Sequence, residues 1–219
     1  MPKLISTPAI ILSTLVIREG DLISTVLSRE LGVIKVYCRS AKRSQKRFGG
    51  GVDIFTCGVF ELEQRKSELL ELKSISERHS FESFRQDLSK FCLASFCLET
   101  AINLTHEGDT DAAHLFNPLY HVLNKIDEAP FSLTSFAVLV YFLLNALQVS
   151  GIDPFAQEAA LPPDETSWSK LMLENNKPYI QNNKTIIANT ICFLSSHAQH
   201  FTEKPFHTER DMLSALGAL

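Results

Sequence analysis

The spacing of apolar residues changes near residue 80, and this change most narrows the folds open to the chain. Up to Ile75 the apolar residues form short runs rich in β-branched side chains, a pattern typical of strands. Five such runs occur: Ala9 to Ile17, Leu22 to Leu27, Val33 to Cys38, Phe55 to Glu63 and Leu69 to Ile75. Beyond Ser80 the apolar residues recur at intervals of three and four, as on one face of a helix. The sequence therefore predicts an α+β protein, with a β domain over residues 1–80 and an α-helical domain over residues 81–219.

Five short strands in the first domain fit a small closed barrel. Several of them mix apolar with charged positions, as half-buried antiparallel strands do. The OB-fold is the five-stranded barrel that recurs in polymer-binding proteins. We therefore predict an N-terminal five-stranded OB-fold β-barrel, followed by an α-helical bundle.

The helical pattern predicts several amphipathic helices and one central apolar helix. Two amphipathic stretches run from Phe84 to Leu98 and from Ala112 to Ile126. Ser132 to Val149 is apolar nearly all round and begins at a capping serine. Its length is close to the lower limit for crossing a bilayer, and it also contains polar residues. We predict a buried bundle helix and no membrane partner.

The region after Gly151 is less regular. Four prolines oppose a long helix, and the stretch from Tyr179 to Ile187 is predicted to form a hairpin. Helical spacing returns from Ala188 to Phe201. Thr208 is predicted to cap a last short helix that ends at Leu216.

The N-terminus and the cysteines favour a cytoplasmic protein. Met1 to Ser6 does not begin an export signal with its basic, apolar and cleavage regions. The 5 cysteines are odd in number and never spaced C-x-x-C. This argues against both a disulfide framework and a zinc knuckle, so we expect reduced thiols.

Charge divides the chain at the same place as the apolar pattern. Residues 1–80 carry 13 Lys and Arg against 9 Asp and Glu, whereas residues 81–219 carry 8 against 16. A basic module joined to an acidic one is typical of a chain whose basic part binds a polyanion.

The most informative segment lies between the third and fourth predicted strands. Five cations fall between Arg39 and Arg47, and no acid occurs between Lys35 and Asp53. On OB barrels, cationic loops follow a nucleic-acid backbone while nearby aromatic rings stack on unpaired bases. A solvated loop without a ligand is the alternative. The predicted DNA-contacting residues are Lys35, Tyr37, Arg39, Lys42, Arg43, Lys46, Arg47 and Phe48.

Catalytic and metal signatures are absent from the sequence. It contains no Walker A loop, H-E-x-x-H, G-x-S-x-G or dinucleotide fingerprint. Gly49 to Gly51 lacks the Lys and Ser or Thr of a P-loop. His197 and His200 lie about one helical turn apart, but no Asp, Glu or Cys lies at a spacing that would complete a metal site with them. We predict no catalytic residue, no metal and no cofactor.

Several segments match the pattern of a known family. They are Arg18 to Leu27, Glu30 to Ile34, and Arg47-Phe48-Gly49-Gly50 before a strand near Phe55. The match continues in Phe84 to Leu88 with Ala94-Ser95-Phe96, and in Lys204-Pro205-Phe206 with Glu209-Arg210. By these residues the chain resembles the RecO recombination mediators.

The resemblance implies an OB barrel on a helical domain, with no enzymatic cofactor, in a bacterial protein associated with the nucleoid. It implies binding of single- and double-stranded DNA, annealing of complementary strands, and indirect help to a recombinase on coated strands. The implied protein partners are RecR and the C-terminal tail of the single-strand-binding protein. Many relatives carry a four-cysteine zinc cluster in the second half, but only Cys192 lies beyond Gly151 here. We therefore expect no zinc.

Three other functions remain open at this point. A protein-only adaptor would dock its basic loop on an acidic protein, without salt-dependent DNA binding. An RNA-binding protein is a closer alternative, because OB barrels bind both polymers. A hydrolase using Cys92 or Cys97 is more remote, since neither has an evident base.

Overall fold

The computed structural model describes residues 3–43, 45–48, 51–64, 69–155, 162–175 and 177–217, without the side chains of residues 45 and 46. The chain divides into two compact units. The first combines Met1–Phe81 with Thr105–Asn117, and the second combines Glu82–Leu104 with Pro118–Leu219. A segment between two helices therefore belongs to the β unit, which the apolar pattern did not indicate.

The first unit is a closed five-stranded barrel with the strand order β1-β2-β3-β5-β4. Its strands are β1 (Lys3–Arg18), β2 (Asp21–Ser28), β3 (Gly32–Cys38), β4 (Cys57–Gln64) and β5 (Leu70–His79). Neighbouring strands are antiparallel except β3 and β5, which pair in parallel at two positions. The long β1 closes the barrel, because its first half pairs with β4 and its second half with β2. The predicted OB-fold architecture is confirmed.

Alternating side chains of the strands fill the barrel. In β2, Leu22, Ser24 and Val26 are buried, whereas Ile23 and Thr25 are half-buried on the other face. This alternation follows from the two-residue period of a strand and explains the mixed apolar and polar pattern in the sequence. Ile11, Val36, Phe60, Leu62 and Leu72 join the same core.

The segment 105–117 packs on the turn between β2 and β3. Gly108 N donates to Val33 O at 3.0 Å, and Val33 N donates to Asp109 O at 3.4 Å. Gly32 has a φ of +67°, and a Cβ there would lie 1.8 Å from Asp109 O. Glycine is required at this position because both the backbone conformation and the close approach exclude a side chain.

The rest of the chain is helical, beginning at α2 because a four-residue helix, α1 (Gln45–Phe48), lies in the basic segment. The helices are α2 (Leu88–Asn103), α3 (Phe116–Glu128), α4 (Leu133–Val149), α5 (Pro163–Glu174), α6 (Lys184–Thr202) and α7 (Glu209–Gly217). Ser132 caps α4 as predicted, and most of that helix is buried. Among the helices of the described part, none combines the length and apolarity needed to cross a bilayer.

Several predictions for the helical half were wrong in detail. The hairpin predicted from Tyr179 to Ile187 does not form, because the Asn183 side chain accepts from Thr185 N and starts α6 at Lys184. The prolines, predicted to oppose a long helix, still allow the 12-residue α5, since Pro163 occupies its first turn, where no amide donor is needed. The stretch from Ala112 to Ile126 is divided into a 3-10 turn and α3.

The predicted cap of the last helix also differs from the structure. The Thr208 hydroxyl donates to Glu99 Oε2 at 2.5 Å, so the side chain links two helices of the second unit. The backbone carbonyl of Thr208 accepts from Met212 N at 3.0 Å.

Candidate nucleic-acid interface

The basic segment leaves the barrel at a fixed point, where β3 ends beside the start of β2. The Tyr37 hydroxyl donates to Asp21 Oδ2 at 2.5 Å, and Ser40 N donates to Asp21 Oδ1 at 2.7 Å. The hydrogen bond from Tyr37 is the main cause that lowers the pKa of Asp21, and the same bond raises the pKa of Tyr37. Ser40 has a positive φ of 51° and turns the chain sharply. The Asp21 carboxylate therefore binds both the end of β3, through Tyr37, and the start of the loop, through Ser40.

Three of the predicted cations are exposed on the described part of this loop: Arg39, Lys42 and Arg43. Lys42 N donates to Gly20 O at 3.2 Å, which ties the loop to the turn between β1 and β2. Arg43 Nη2 lies 3.2 Å from Glu19 Oε1, and both side chains are mostly exposed. An exposed pair of this kind contributes little to stability, so a phosphate is able to replace the carboxylate at small cost.

Phe48 corrects an expectation from the sequence. Its side chain is fully buried and belongs to the barrel core, so its ring is not available for stacking on bases. Arg47 also turns inward. Its guanidinium lies 4.4 Å from the centre of the Phe48 ring and donates to Arg39 O. Both residues therefore contact other parts of the first unit. Phe48 contacts the barrel core, and Arg47 contacts the Arg39 carbonyl.

Arg78 near the end of β5 fixes the far side of the loop. Its Nη1 donates to Phe48 O at 2.8 Å and to Gly51 O at 2.5 Å. Nη2 donates to Thr56 Oγ1 at 3.3 Å and Nε to Ser80 Oγ at 3.1 Å. The planar guanidinium holds several oxygens at once, which a lysine ammonium does not reproduce. We did not predict this residue, because one arginine in a strand of mixed polarity gives no pattern.

Lys35 and Lys46 complete the predicted set of cations. Lys35 Nζ lies 2.8 Å from Glu107 Oε2, in the segment that packs on the β2–β3 turn. Lys35 therefore has an acidic partner that a phosphate would have to displace. The side chain of Lys46 lies outside the described residues, and its role stays a prediction. Arg39, Lys42 and Arg43 are the cations of the set that the structure describes as exposed on the loop.

The cysteines are poor candidates for nucleophiles. Burial raises the pKa of Cys38 to about 11 and that of Cys57 to about 12. Burial is also the main cause that raises the pKa of Cys92, Cys97 and Cys192. A thiol acts as a nucleophile through its thiolate, which these environments disfavour.

The histidines considered for a metal have other contacts. His197 Nε2 lies 2.9 Å from Asp153 O, and its ring stacks on Phe193 with centroids 5.7 Å apart. The His200 ring contacts Phe201 edge to face. Within the described ranges, no three His, Cys, Asp or Glu side chains come close enough together to hold a metal ion.

The closed five-stranded barrel and the helical unit define an OB-fold protein with a cationic loop after its third strand. Residues 1–81 match the family model described as "Recombination protein O N terminal". Residues 85–161 match the one described as "Recombination protein O C terminal". The two models together span most of the chain, which therefore belongs to the recombination protein O (RecO) family.

Relatives named "DNA repair protein RecO" are similar over part of the chain. The one from Anaeromyxobacter dehalogenans (strain 2CP-C) is 34% identical over 137 residues, or 62% of this chain and 52% of the relative. The one from Desulfosudis oleivorans (strain DSM 6200 / JCM 39069 / Hxd3) is 31% identical over 151 residues, or 68% and 57%. The one from Thermoanaerobacter sp. (strain X514) is 29% identical over 127 residues, or 58% and 50%. The chain thus spans about half the length of these curated relatives.

Proposed function

We propose that the chain is a DNA repair and recombination mediator that binds single- and double-stranded DNA through its basic loop and anneals complementary strands. The observation that carries the proposal is the exposed set Arg39, Lys42 and Arg43 on a loop anchored at both ends. The relatives' name, DNA repair protein RecO, supports DNA as the polymer.

The chemistry required is electrostatic. Two DNA strands repel each other, and cations that replace condensed counterions lower this repulsion. The guanidinium and ammonium groups of the loop contact phosphates, which have the same charge in every sequence. Such work involves no bond-making step. Tyr37, half-buried with its hydroxyl on Asp21, is the aromatic side chain of the predicted set that is not buried.

The salt dependence of DNA binding tests the proposal. Each phosphate contact to a single strand contributes about −0.7 to the slope of log K against log salt, so three contacts give about −2. Lys46 would add about −0.7 if it also contacts a phosphate. The measurement is fluorescence anisotropy of a labelled oligonucleotide over a range of salt concentrations.

The matched variants are two triple substitutions with equal change in charge. R39S/K42S/R43S is expected to flatten the slope to about that of Lys46 alone, because the exposed cations of the described loop are gone. K125S/K184S/R210S removes three cations from the helical unit and should leave the slope unchanged. A slope near zero for the wild type would favour the protein-only adaptor. Equal or tighter binding of an RNA oligomer of the same sequence would favour the RNA-binding alternative.

Protein partners also belong to the proposal. In line with the family, we propose that RecR and the acidic tail of the single-strand-binding protein bind this chain, and that recombinase loading benefits indirectly. A tail of this type needs an apolar groove with a basic rim. The helical unit offers a groove of about 580 Å³ beside Trp168, Leu171 and Tyr179, and Lys177 lies over the Tyr179 ring at 5.0 Å. Binding of a labelled tail peptide, compared between the wild type and K177S, tests this site.

A further inference from the structure

The second half of β1 exposes aliphatic side chains that the barrel does not cover. Leu15, Val16 and Ile17 are 64%, 55% and 40% exposed. These are consecutive residues of one strand, so they point to both faces of the sheet. Isolated exposed apolar residues are ordinary on a protein surface, but here Leu15 and Ile17 lie on one face of the strand and Val16 on the other, so both faces of this segment are apolar.

This part of β1 is also a sheet edge. From Lys3 to Ile10 the strand pairs with β4, and Ile11 still exchanges backbone hydrogen bonds with Phe55 and Thr56. From Ser13 onward, β2 is its one strand partner within the described chain. Irregularities in the register at Leu12 and at Ile17 bracket a regular stretch of four residues, Ser13 to Val16. The free side of that stretch is suited to pairing with a short extended segment.

The chemistry of the edge favours a polypeptide over a nucleic acid. Surfaces for unpaired bases are built from aromatic rings, because every base has a π-face. The exposed residues here are aliphatic and two of them are β-branched, which suits the packing of an added strand. Natural proteins protect such edges with lysines or prolines. Ser13 to Ile17 contains neither.

The charges next to the edge indicate the sign of the partner. Arg18 ends the strand, and Arg18 and Arg39 both lie close enough to Asp21 to act on it electrostatically. Lys42 and Arg43 sit on the adjoining loop, where Lys42 N bonds to Gly20 O. The acids beside them already have partners. Glu19 pairs with Arg43, and Asp21 accepts hydrogen bonds from Tyr37 and Ser40. A second copy of this chain would bring the same excess of positive charge, whereas an acidic segment complements it.

We propose that the Ser13–Ile17 edge of β1 binds an extended, acidic segment of a partner protein by strand addition. Backbone hydrogen bonds to the free edge supply the affinity, and the aliphatic side chains select alternating apolar residues. Arg18 and the loop cations contact the acidic residues of the partner. The apolar edge lies outside the proposed DNA-binding loop, although the peptide and DNA share the cations of that loop.

The test uses a defined probe, a seven-residue peptide of alternating valine and glutamate with blocked ends and a fluorescein label. Anisotropy measures its binding to the full chain. The double variant L15S/I17S is expected to weaken binding at least tenfold, because it removes apolar contacts without altering charge. L4S is the matched control, since Leu4 is 65% exposed on the same strand where β1 pairs with β4. That variant should bind the peptide within twofold of the wild type.

Further measurements separate the alternatives. A peptide N-methylated at its central amides should not bind, because it lacks the donors that a strand needs. DNA binding of L15S/I17S should stay within twofold of the wild type, which also shows that the variant is folded. Equal peptide binding by L15S/I17S and the wild type would overturn the proposal. Loss of DNA binding by L15S/I17S, with its peptide binding intact, would also overturn it. A third contrary result is a wild-type protein that binds no peptide and forms a dimer that L15S/I17S converts to a monomer.

Discussion

Single side chains decide which part of the basic segment faces solvent. Phe48 packs in the barrel core, Arg47 lies against its ring, and Arg78 donates to the backbone carbonyls of Phe48 and Gly51. The run of cations was evident in the sequence, but the direction of each side chain was not. A basic run has no apolar period from which a buried face could be inferred, and the residue that fixes it lies 30 positions away.

The substitution Phe48→Ala tests the structural role of this ring. A fully buried phenylalanine replaced by alanine is expected to cost about 3–5 kcal/mol of unfolding free energy. Urea denaturation measures this cost. DNA affinity per folded molecule should fall little, because the exposed cations remain. A stable F48A protein with greatly weakened DNA binding would show instead that the ring contacts bases.

Cys57 predicts a specific alkaline weakness. Burial raises its pKa to about 12 from an ordinary value near 9, so the unfolded thiol ionises first. Its contribution to stability is complete below pH 9 and is lost as the pH rises toward 12. Between pH 8 and pH 10 the loss from this one group is about 1.4 kcal/mol. The stability difference between the wild type and C57A in urea should narrow by that amount, and a constant difference would contradict the assignment.

At the scale of elements, local pattern predicted the strands well and the connections poorly. All five strands appear where β-branched runs occur, because alternation matches a half-buried sheet. The predicted hairpin after Tyr179 failed because Asn183, interpreted as a turn residue, serves as a helix cap. Asparagine suits both roles, and only the following helix distinguishes them. The packing of residues 105–117 on the barrel depends on contacts distant in sequence, which no local pattern reveals.

Gly32 tests whether the segment 105–117 is an integral part of the β unit. Gly32→Ala combines a positive φ with a collision against the Asp109 carbonyl, so it should destabilise the unit by roughly 2 kcal/mol or more. Gly108→Ala is the matched control, since its φ is +82° but a Cβ there would meet nothing within 4 Å. It should cost about 1 kcal/mol.

Hydrogen exchange separates these two glycine substitutions at the level of single amides. In G32A the Gly108 amide, which donates to Val33 O, should lose its protection. In G108A it should keep most of it. Equal behaviour of the two variants would mean that the close approach at Gly32 does not hold the segment.

For the whole molecule, the charge division seen in the sequence is only partly kept by the two structural units. Residues 105–117 add Glu107, Asp109 and Asp111 to the barrel unit, which carries 13 Lys and Arg against 12 Asp and Glu, whereas the second unit carries 8 against 13. Within the barrel unit, Lys35 pairs with Glu107 and Arg47 contacts the Arg39 carbonyl. Arg39, Lys42 and Arg43 are exposed on the loop, and Arg43 has the mostly exposed Glu19 as a partner. The proposed electrostatic action therefore depends on a few side chains of one loop and not on net charge, which is −4 for the chain.

The rate of annealing of two complementary oligonucleotides tests this claim most directly. Wild type, R39S/K42S/R43S and the charge-matched K125S/K184S/R210S are compared at low salt, with strand pairing followed by fluorescence quenching. We predict that the wild type and the helical-unit variant accelerate pairing to the same extent, and that the loop variant loses most of the acceleration. Equal acceleration by all three proteins would contradict the assignment of the loop as the DNA-binding element.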